Sequence, residues 1–376
     1  MPAPTLTDGP LTLRGHRDDD ADALVEQHRD PDSERWTTAP TPYRLADARA
    51  WIESCRRRWE QGPADGAELT FVVEADGRYA GQVGLRPDGV GGALIGFGLH
   101  PAARGRGVMS GAVRMALVWG FSDLGLDVVQ WRAYVGNWAS RRVAWATGFR
   151  VEGTVRALEV QRGRRRDAWI GTITAGDVMR PTAPWFDVPR VVADHRRGAA
   201  VVLRRHVDED AVRIAQACAD PQCQYWLPGL PSPYTVADAV RYLADREEQH
   251  ASGTGVYWAV ADAKDDRLLG VVSLTDVDLR VGSAEVGYWV HPAERGRGVA
   301  ATAARLAARH ALLPAEDGGL GLHRVGLRVA DGNTASQRAA QRAGFTPAGR
   351  DRSAEVLRDG SRRDFLRYDL LASELG

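Results

Sequence analysis

His100-Pro101-Ala102-Ala103-Arg104-Gly105-Arg106-Gly107-Val108 recurs 191 residues later as His291-Pro292-Ala293-Glu294-Arg295-Gly296-Arg297-Gly298-Val299. Each copy follows a stretch that reads as a β-strand and opens one that reads as a helix. In the first copy Val113, Leu117, Gly120, Phe121 and Leu124 form an apolar stripe at helical spacing. A helix start presents unpaired backbone N–H groups and the positive end of the helix dipole, which together suit a phosphate. Glycine lets the backbone approach such a ligand, and the flanking arginines add charge and forked donors. A plain glycine turn with solvated arginines is the alternative, and two copies in matched settings argue against it. A dinucleotide loop needs G-x-G-x-x-G, which Met109-Ser110 and Ala300-Ala301 break, and the lysine of a P-loop is missing.

The repeat extends well beyond the loop. Asp30-Pro31, Trp36 and Pro42-Tyr43 match Asp220-Pro221, Trp226 and Pro233-Tyr234. Downstream, Asn137, Ala139, Ser140, Arg142, Gly148 and Phe149 match Asn333, Ala335, Ser336, Arg338, Gly344 and Phe345, with an insertion near Pro314 to Gly321 shifting the offset. Matches in one order over each half mean duplicated domains. The boundaries expected are residues 1–176 and 199–376, joined by a proline-containing linker, 177–198, whose Trp185-Phe186 is apolar enough to pack on one domain. Each half reads as a strand, two helical stretches, three strands, a long helix from Gly107 or Gly298, a strand, a shorter helix and closing strands. The fold class is therefore mixed α+β.

Composition narrows the function. Basic and acidic residues number 49 each, so the formal net charge is zero. That disfavours a nucleic-acid binder, and the run Arg162-Gly163-Arg164-Arg165-Arg166 beside Asp167 reads as a solvated hairpin turn. Lys264 is the only lysine. Three cysteines (Cys55, Cys218 and Cys223) fit neither a disulfide framework nor zinc spacing and read as free thiols. No apolar run of about 18 residues exists to span a membrane, and the N-terminus lacks a signal segment. A cytoplasmic protein with no metal and no membrane partner is expected; its oligomeric state stays open.

Strand, then R/Q-x-x-G-x-G/A, then helix resembles the acetyl-CoA site of the GNAT superfamily. The N-x-A-S…G-F stretch resembles its RimJ/RimL subgroup. The resemblance covers nearly all of each repeat and implies two tandem GNAT folds, each a mixed, splayed, mostly antiparallel sheet flanked by helices. It implies acetyl-CoA as co-substrate, held by Arg104, Gly105, Arg106, Gly107, Val108 and Asn137 in the first repeat. In the second the set is Trp289, Val290, Arg295, Gly296, Arg297, Gly298, Val299, Ala300 and Asn333.

The same resemblance suggests the chemistry. Acyl transfer to an amine needs a proton acceptor, donors for the oxyanion and help for the departing thiolate. Ser336, and Ser140 in the first repeat, stand where the subgroup places a serine at the leaving sulfur; both could instead cap a helix. The tyrosine common elsewhere in the superfamily is replaced by Ala144 and Ala340. Glu355 and Glu159 lie 19 residues beyond those serines and are candidate bases acting through water. Glu285 resembles a strand glutamate of many family members, whereas its counterpart Leu94 cannot ionise, and Ala300 is matched by Met109. The second repeat therefore looks more complete. Trp226, Leu227, Tyr234 and Tyr242 are expected to shape the acceptor pocket. The activity implied is transfer of acetyl to a primary amine of a peptide or protein N-terminus or a small molecule. The alternative is a catalytically inactive CoA-binding regulator or scaffold.

Overall fold

The computed structural model describes residues 2–63, 66–193 and 199–375. The chain divides into two compact units, Met1–Thr182 and Ala183–Gly376.

The first unit runs β1 (Leu6–Asp8), β2 (Leu11–Arg14), α1 (Ala21–Arg29), α2 (Pro31–Trp36), α3 (Leu45–Gln61), β3 (Leu69–Ala75), β4 (Arg78–Pro87), β5 (Gly92–Leu99), α4 (Val108–Ser122), β6 (Val128–Tyr134), α5 (Trp138–Ala146), β7 (Arg150–Gln161) and β8 (Arg164–Thr174). The second runs β9 (Val191–Val192), β10 (Val201–Arg204), α6 (Asp210–Ala219), α7 (Pro221–Trp226), α8 (Val236–Ser252), β11 (Val256–Asp262), β12 (Leu268–Asp278), β13 (Ser283–Val290), α9 (Val299–Leu312), β14 (Arg324–Ala330), α10 (Thr334–Ala343), β15 (Thr346–Val356) and β16 (Arg362–Leu371). The sheets have the orders β1-β2-β3-β4-β5-β6-β8-β7 and β15-β16-β14-β13-β12-β11-β10-β9. These are the two tandem mixed folds that the resemblance implies.

One pair in each sheet is parallel, β5 with β6 and β13 with β14. In the second unit that ladder holds only three rungs, the last being Glu285 opposite Gly326. Beyond it, residues up to Val290 pair with β12 alone, so one edge of β13 stands open. This is the splay in which a ligand can take the place of a strand.

Local sequence accounts for the elements. β11 is buried along almost its whole length and accordingly reads as an unbroken apolar run. On α9 the buried positions include Ala301, Ala303, Ala304, Ala307, Ala308 and Ala311, and their small side chains let the helix lie close on the sheet. Sequence reading missed α2 and α7, although the signal was present. Asp30 and Asp220 are N-caps that accept from Ser33 N and Cys223 N, and Pro31 and Pro221 occupy the first helical position. It also missed β1 and β9, which are too short to show a period.

The segment read as a linker is shared between the units. Met179 packs against the first core. Phe186 is buried in the second, Trp258 Nε1 donates to Pro189 O at 3.0 Å, and β9 extends the second sheet. Residues 194–198 lie outside the described residues. Among the described residues no helix is long and apolar enough to cross a membrane, and no group of three His, Cys, Asp or Glu could hold a metal. The three cysteines are free and buried.

Candidate active site

The loop between β13 and α9 follows from its glycines. Gly296 and Gly298 both have φ +77°, a left-handed conformation that side-chain-bearing residues rarely adopt. Gly298 is the N-cap of α9 and supplies no side chain to the first turn, so its amides stay available. A Cβ at either glycine would meet nothing within 4 Å, which leaves open space over those amides. Gly105 and Gly107 repeat the conformation at φ +74° and +75°.

A cavity of about 350 Å³ opens on this helix start. Arg295, Gly296, Gly298, Val299 and Ala300 form one end, and Tyr288, Trp289 and Val290 line it from the open edge of β13. Asn333, Ser336, Arg338 and Arg342 enter from α10, and Trp226 and Leu227 from the end of α7. Phosphates at the helix start and an extended arm along β13 fit this arrangement: unpaired amides at one end, an open strand edge beyond.

The arginines are used differently from the sequence reading. Arg295 donates to Asp220 (2.6 Å) and Gln222 (2.8 Å), tying the loop to the start of α7. Arg104 does the same in the first unit through Asp30 (2.5 Å) and Asp32 (3.3 Å). Arg297 joins Arg213 and Arg267 around the buried Glu294, and Arg106 pairs with Asp76. The cations of the cavity that carry no ion pair among the described residues are Arg338 and Arg342, which sequence reading did not single out. Their spacing of four on one helix was the available signal.

Asn333, not Ser336, caps α10: its Oδ1 accepts from Ser336 N at 3.2 Å, as Asn137 does from Ser140 N. The serine hydroxyls are thereby released for other partners, and here the repeats diverge. Ser336 Oγ lies 3.0 Å from the hydroxyl of Tyr288, which also donates to Ser336 O. Burial raises the Tyr288 pKa and the Ser336 hydrogen bond partly offsets it, so the phenol stays protonated. In the first unit Phe97 replaces Tyr288, and Ser140 Oγ accepts instead from the indole of Trp131 at 3.0 Å.

The glutamates diverge as well. Arg132 and Arg328 are equivalent, yet Arg132 lies 3.5 Å from Glu159 whereas Arg328 donates to Glu285 at 2.8 Å. Gly326 makes room for Glu285, since a Cβ there would stand 3.3 Å from Oε1. Glu285 thus sits where the β13–β14 ladder ends, and Glu355 makes no ion pair among the described residues. A β-bulge precedes both Glu159 and Glu355, with Ala157 (φ +53°) and Ser353 (φ +55°) at positive φ. Asp167 and Asp364 close these bulges by accepting from Ala157 N and Ser353 N, each at 2.8 Å. Bulges re-aim the side chains beside them. Neither Glu285 nor Glu355 lines the cavity itself.

Other expected residues have plainer places. His100 and His291 accept from Ala102 N and Ala293 N at 3.3 Å, closing the turn after the strand. Met109 is folded into the first core. Tyr234 and Tyr242 belong to a cluster beneath α6 and α8.

A model of the acetyltransferase (GNAT) domain matches residues 10–150 and again 200–346. The chain belongs to the GNAT family. It is an acetyl-CoA-dependent N-acetyltransferase with two GNAT domains in tandem. The putative ribosomal N-acetyltransferase YdaF of Bacillus subtilis (strain 168) is 29% identical over 178 residues, covering 46% of this chain and 92% of that protein. The ribosomal-protein-serine acetyltransferase of Escherichia coli (strain K12) is 30% identical over 96 residues, 26% of this chain and 51% of that one. Among solved structures, Mycobacterium smegmatis RimJ in complex with CoA-disulfide is similar over 50% of this chain and 87% of that chain, at 22% identity and a TM-score of 0.43.

Proposed function

We propose that the second GNAT domain is the catalytic one and that it acetylates the α-amine of a peptide or protein N-terminus. The observation that carries this reading is the cavity at the α9 start, where Ser336 and the open edge of β13 meet the free helix amides. The names of the relatives, a putative ribosomal N-acetyltransferase and a ribosomal-protein-serine acetyltransferase, favour a protein acceptor.

In this reading the amides of Gly296 to Ala300 cradle the pyrophosphate, with Arg338 and Arg342 supplying positive charge and Arg295 and Arg297 anchoring the loop through Asp220 and Glu294. Trp289, Val290 and Asn333 flank the pantetheine arm. Ser336 turns its O–H from Tyr288 to the departing sulfur, and Glu355 takes the amine proton through water. Glu285, at the point where the strands part, is the alternative base. The first-domain loop, Arg104 to Val108 with Asn137, has the same backbone form and binds CoA in support. Its Ser140 and Glu159 are engaged by Trp131 and Arg132.

Gly298→Glu tests the cradle. Its carboxylate would enter the cavity opposite the phosphates, so isothermal titration should show CoA affinity falling at least tenfold, or about 1.4 kcal/mol. Gly298→Ala carries the backbone strain without the charge and should lose less. Equal losses in the two variants would assign the effect to strain. The activity itself is tested by release of free CoA thiol across N-terminal peptides and small amines. Peptides should support turnover; CoA binding without thiol release from any amine would make the chain a CoA-binding regulator.

A further inference from the structure

Arg246 lies between two aromatic rings, its guanidinium carbon 4.6 Å from the centre of Tyr242 and 4.3 Å from that of Tyr257. It makes no ion pair or hydrogen bond with the described residues, and its buried Nε has no acceptor. Of the surrounding charges, Asp276, close enough to bear on Tyr257, makes no ion pair among the described residues, and the nearer ones are committed. Glu247 pairs with Arg205 and Asp238 with Arg241. His250 accepts from Tyr257 N through Nε2, and burial lowers its pKa to about 3, so it is neutral. His206, stacked edge-on to Tyr242, faces Asp210 at 3.6 Å, and that carboxylate is bound by Arg204. A guanidinium never gives up its charge at ordinary pH, and stacking on ring faces leaves its in-plane N–H groups for an anionic acceptor.

Its place in the sheet says which anion. Tyr257 is opposite Ser273, and Ser273 is opposite Gly287. Side chains alternate along a strand, so this rung shares a face with Glu285 and Trp289. Tyr242 packs in the same cluster as Trp289, which lines the cavity. From Tyr257 to Glu285 is two strands across and two residues along, roughly 12 Å at ordinary sheet spacings. An extended peptide advances about 3.4 Å per residue. With its amine where β13 and β14 part, the side chain of about its second to fourth residue reaches Arg246.

We propose that Arg246 is an anion subsite of the acceptor site, selecting N-terminal peptides with a carboxylate at the second to fourth residue. Two oxygens of a carboxylate match the guanidinium fork, and the aromatic clamp holds that fork in place before the peptide arrives. The first domain arranges this corner differently: Cys55 stands at the position of Arg246 and Trp51 at that of Tyr242, and the arginine over Trp51 is Arg58, further along the helix and 5.0 Å from the ring centre, with a single ring beneath it among the described residues.

This inference rests on the catalytic reading of the second domain, and the test separates the two. Peptide pairs differing only by Asp or Glu against Asn or Gln at residues two to four are compared by thiol release. Wild type should favour the acidic member at least tenfold in kcat/KM at one of these positions. In Arg246→Gln that ratio should fall to near one, and Arg246→Glu should favour a lysine-bearing peptide instead. A wild-type ratio within twofold at every position, or a preference that survives Arg246→Gln, overturns the subsite. Should CoA bind but no peptide turn over, the catalytic reading fails; titration of the same peptide pairs onto the CoA-bound protein then decides the subsite, equal affinities overturning it. Arg246→Lys covers the case in which the glutamine variant does not fold: charge without the stacked fork should keep only part of the preference, and a full preference would rule out the clamp.

Discussion

Ser336→Ala combined with Glu355→Gln is expected to lower turnover by about 10²-fold or more, the scale of losing proton-transfer help, while CoA affinity is nearly unchanged. Ser140→Ala with Glu159→Gln should keep most of the activity. The first-domain hydroxyl accepts from Trp131 and its glutamate faces Arg132, whereas Ser336 meets Tyr288 and Glu355 has no ion pair among the described residues. Thiol-release kinetics together with circular dichroism on both double variants make the comparison. Greater damage from the first-domain pair would move the active site there; equal halving would mean two working sites. If Glu355→Gln alone stays within threefold of wild type, the base is Glu285, and Glu285→Gln becomes the informative variant.

Asp210→Ala should cost the second domain about 3 kcal/mol or more of stability, because it strands a buried arginine. Asp210 binds Arg204 through both oxygens at 2.8 and 2.9 Å and also accepts from Val207 N at 3.0 Å. Both side chains are less than a tenth exposed. The half-exposed Asp266, 2.9 Å from Arg204 Nε, keeps the loss toward the lower end. Chemical denaturation at neutral pH reads the difference. The pH dependence has a definite sign. Arg204 and the Val207 amide outweigh the opposing effect of burial and hold the Asp210 pKa well below the usual carboxylate range. The stabilisation is then complete above the unfolded pKa of about 4 and is lost as pH falls from there toward the folded value. The gap between wild type and Asp210→Ala should be constant from pH 6 to 8 and narrow below about pH 4. A gap that persists undiminished in acid would show that the aspartate acts through packing and not through charge.

The first domain contains the same ion pair, Arg14 with Asp20 at 2.8 and 2.9 Å. The pair recurs at one offset and was legible as a repeat, yet no sequence rule marks two charges six residues apart as buried partners. Burial depends on α1 and α6 folding back over the sheet, which local sequence does not encode.

The duplication, the order of the longer strands and helices and the glycine loop at the helix start were legible in the chain. Each rests on short-range physics: an apolar period, a glycine turn, a helix start that leaves amides unpaired. Asn137 and Asn333 were singled out for a cofactor, and sequence could not tell that they cap the helix and so release Ser140 and Ser336. Which partner each hydroxyl then takes depends on strands far away in sequence. Tyr288 or Phe97 comes from the strand before the loop, and Trp131 or Leu327 from the strand after it. The choice that Arg132 and Arg328 make between two glutamates is likewise settled by strand register and by the room beside Gly326. So is the absence of an ion pair for Arg246 among the described residues, since Glu247 and Asp238 are claimed by other arginines. The sequence by itself determined the family of fold and the glycine loop at the helix start. Sequence distinguished the two copies by residue type, Glu285 against Leu94 and Ala300 against Met109, but only tertiary structure showed which partners the shared side chains take, because side-chain competition is resolved in space and is invisible to any local pattern.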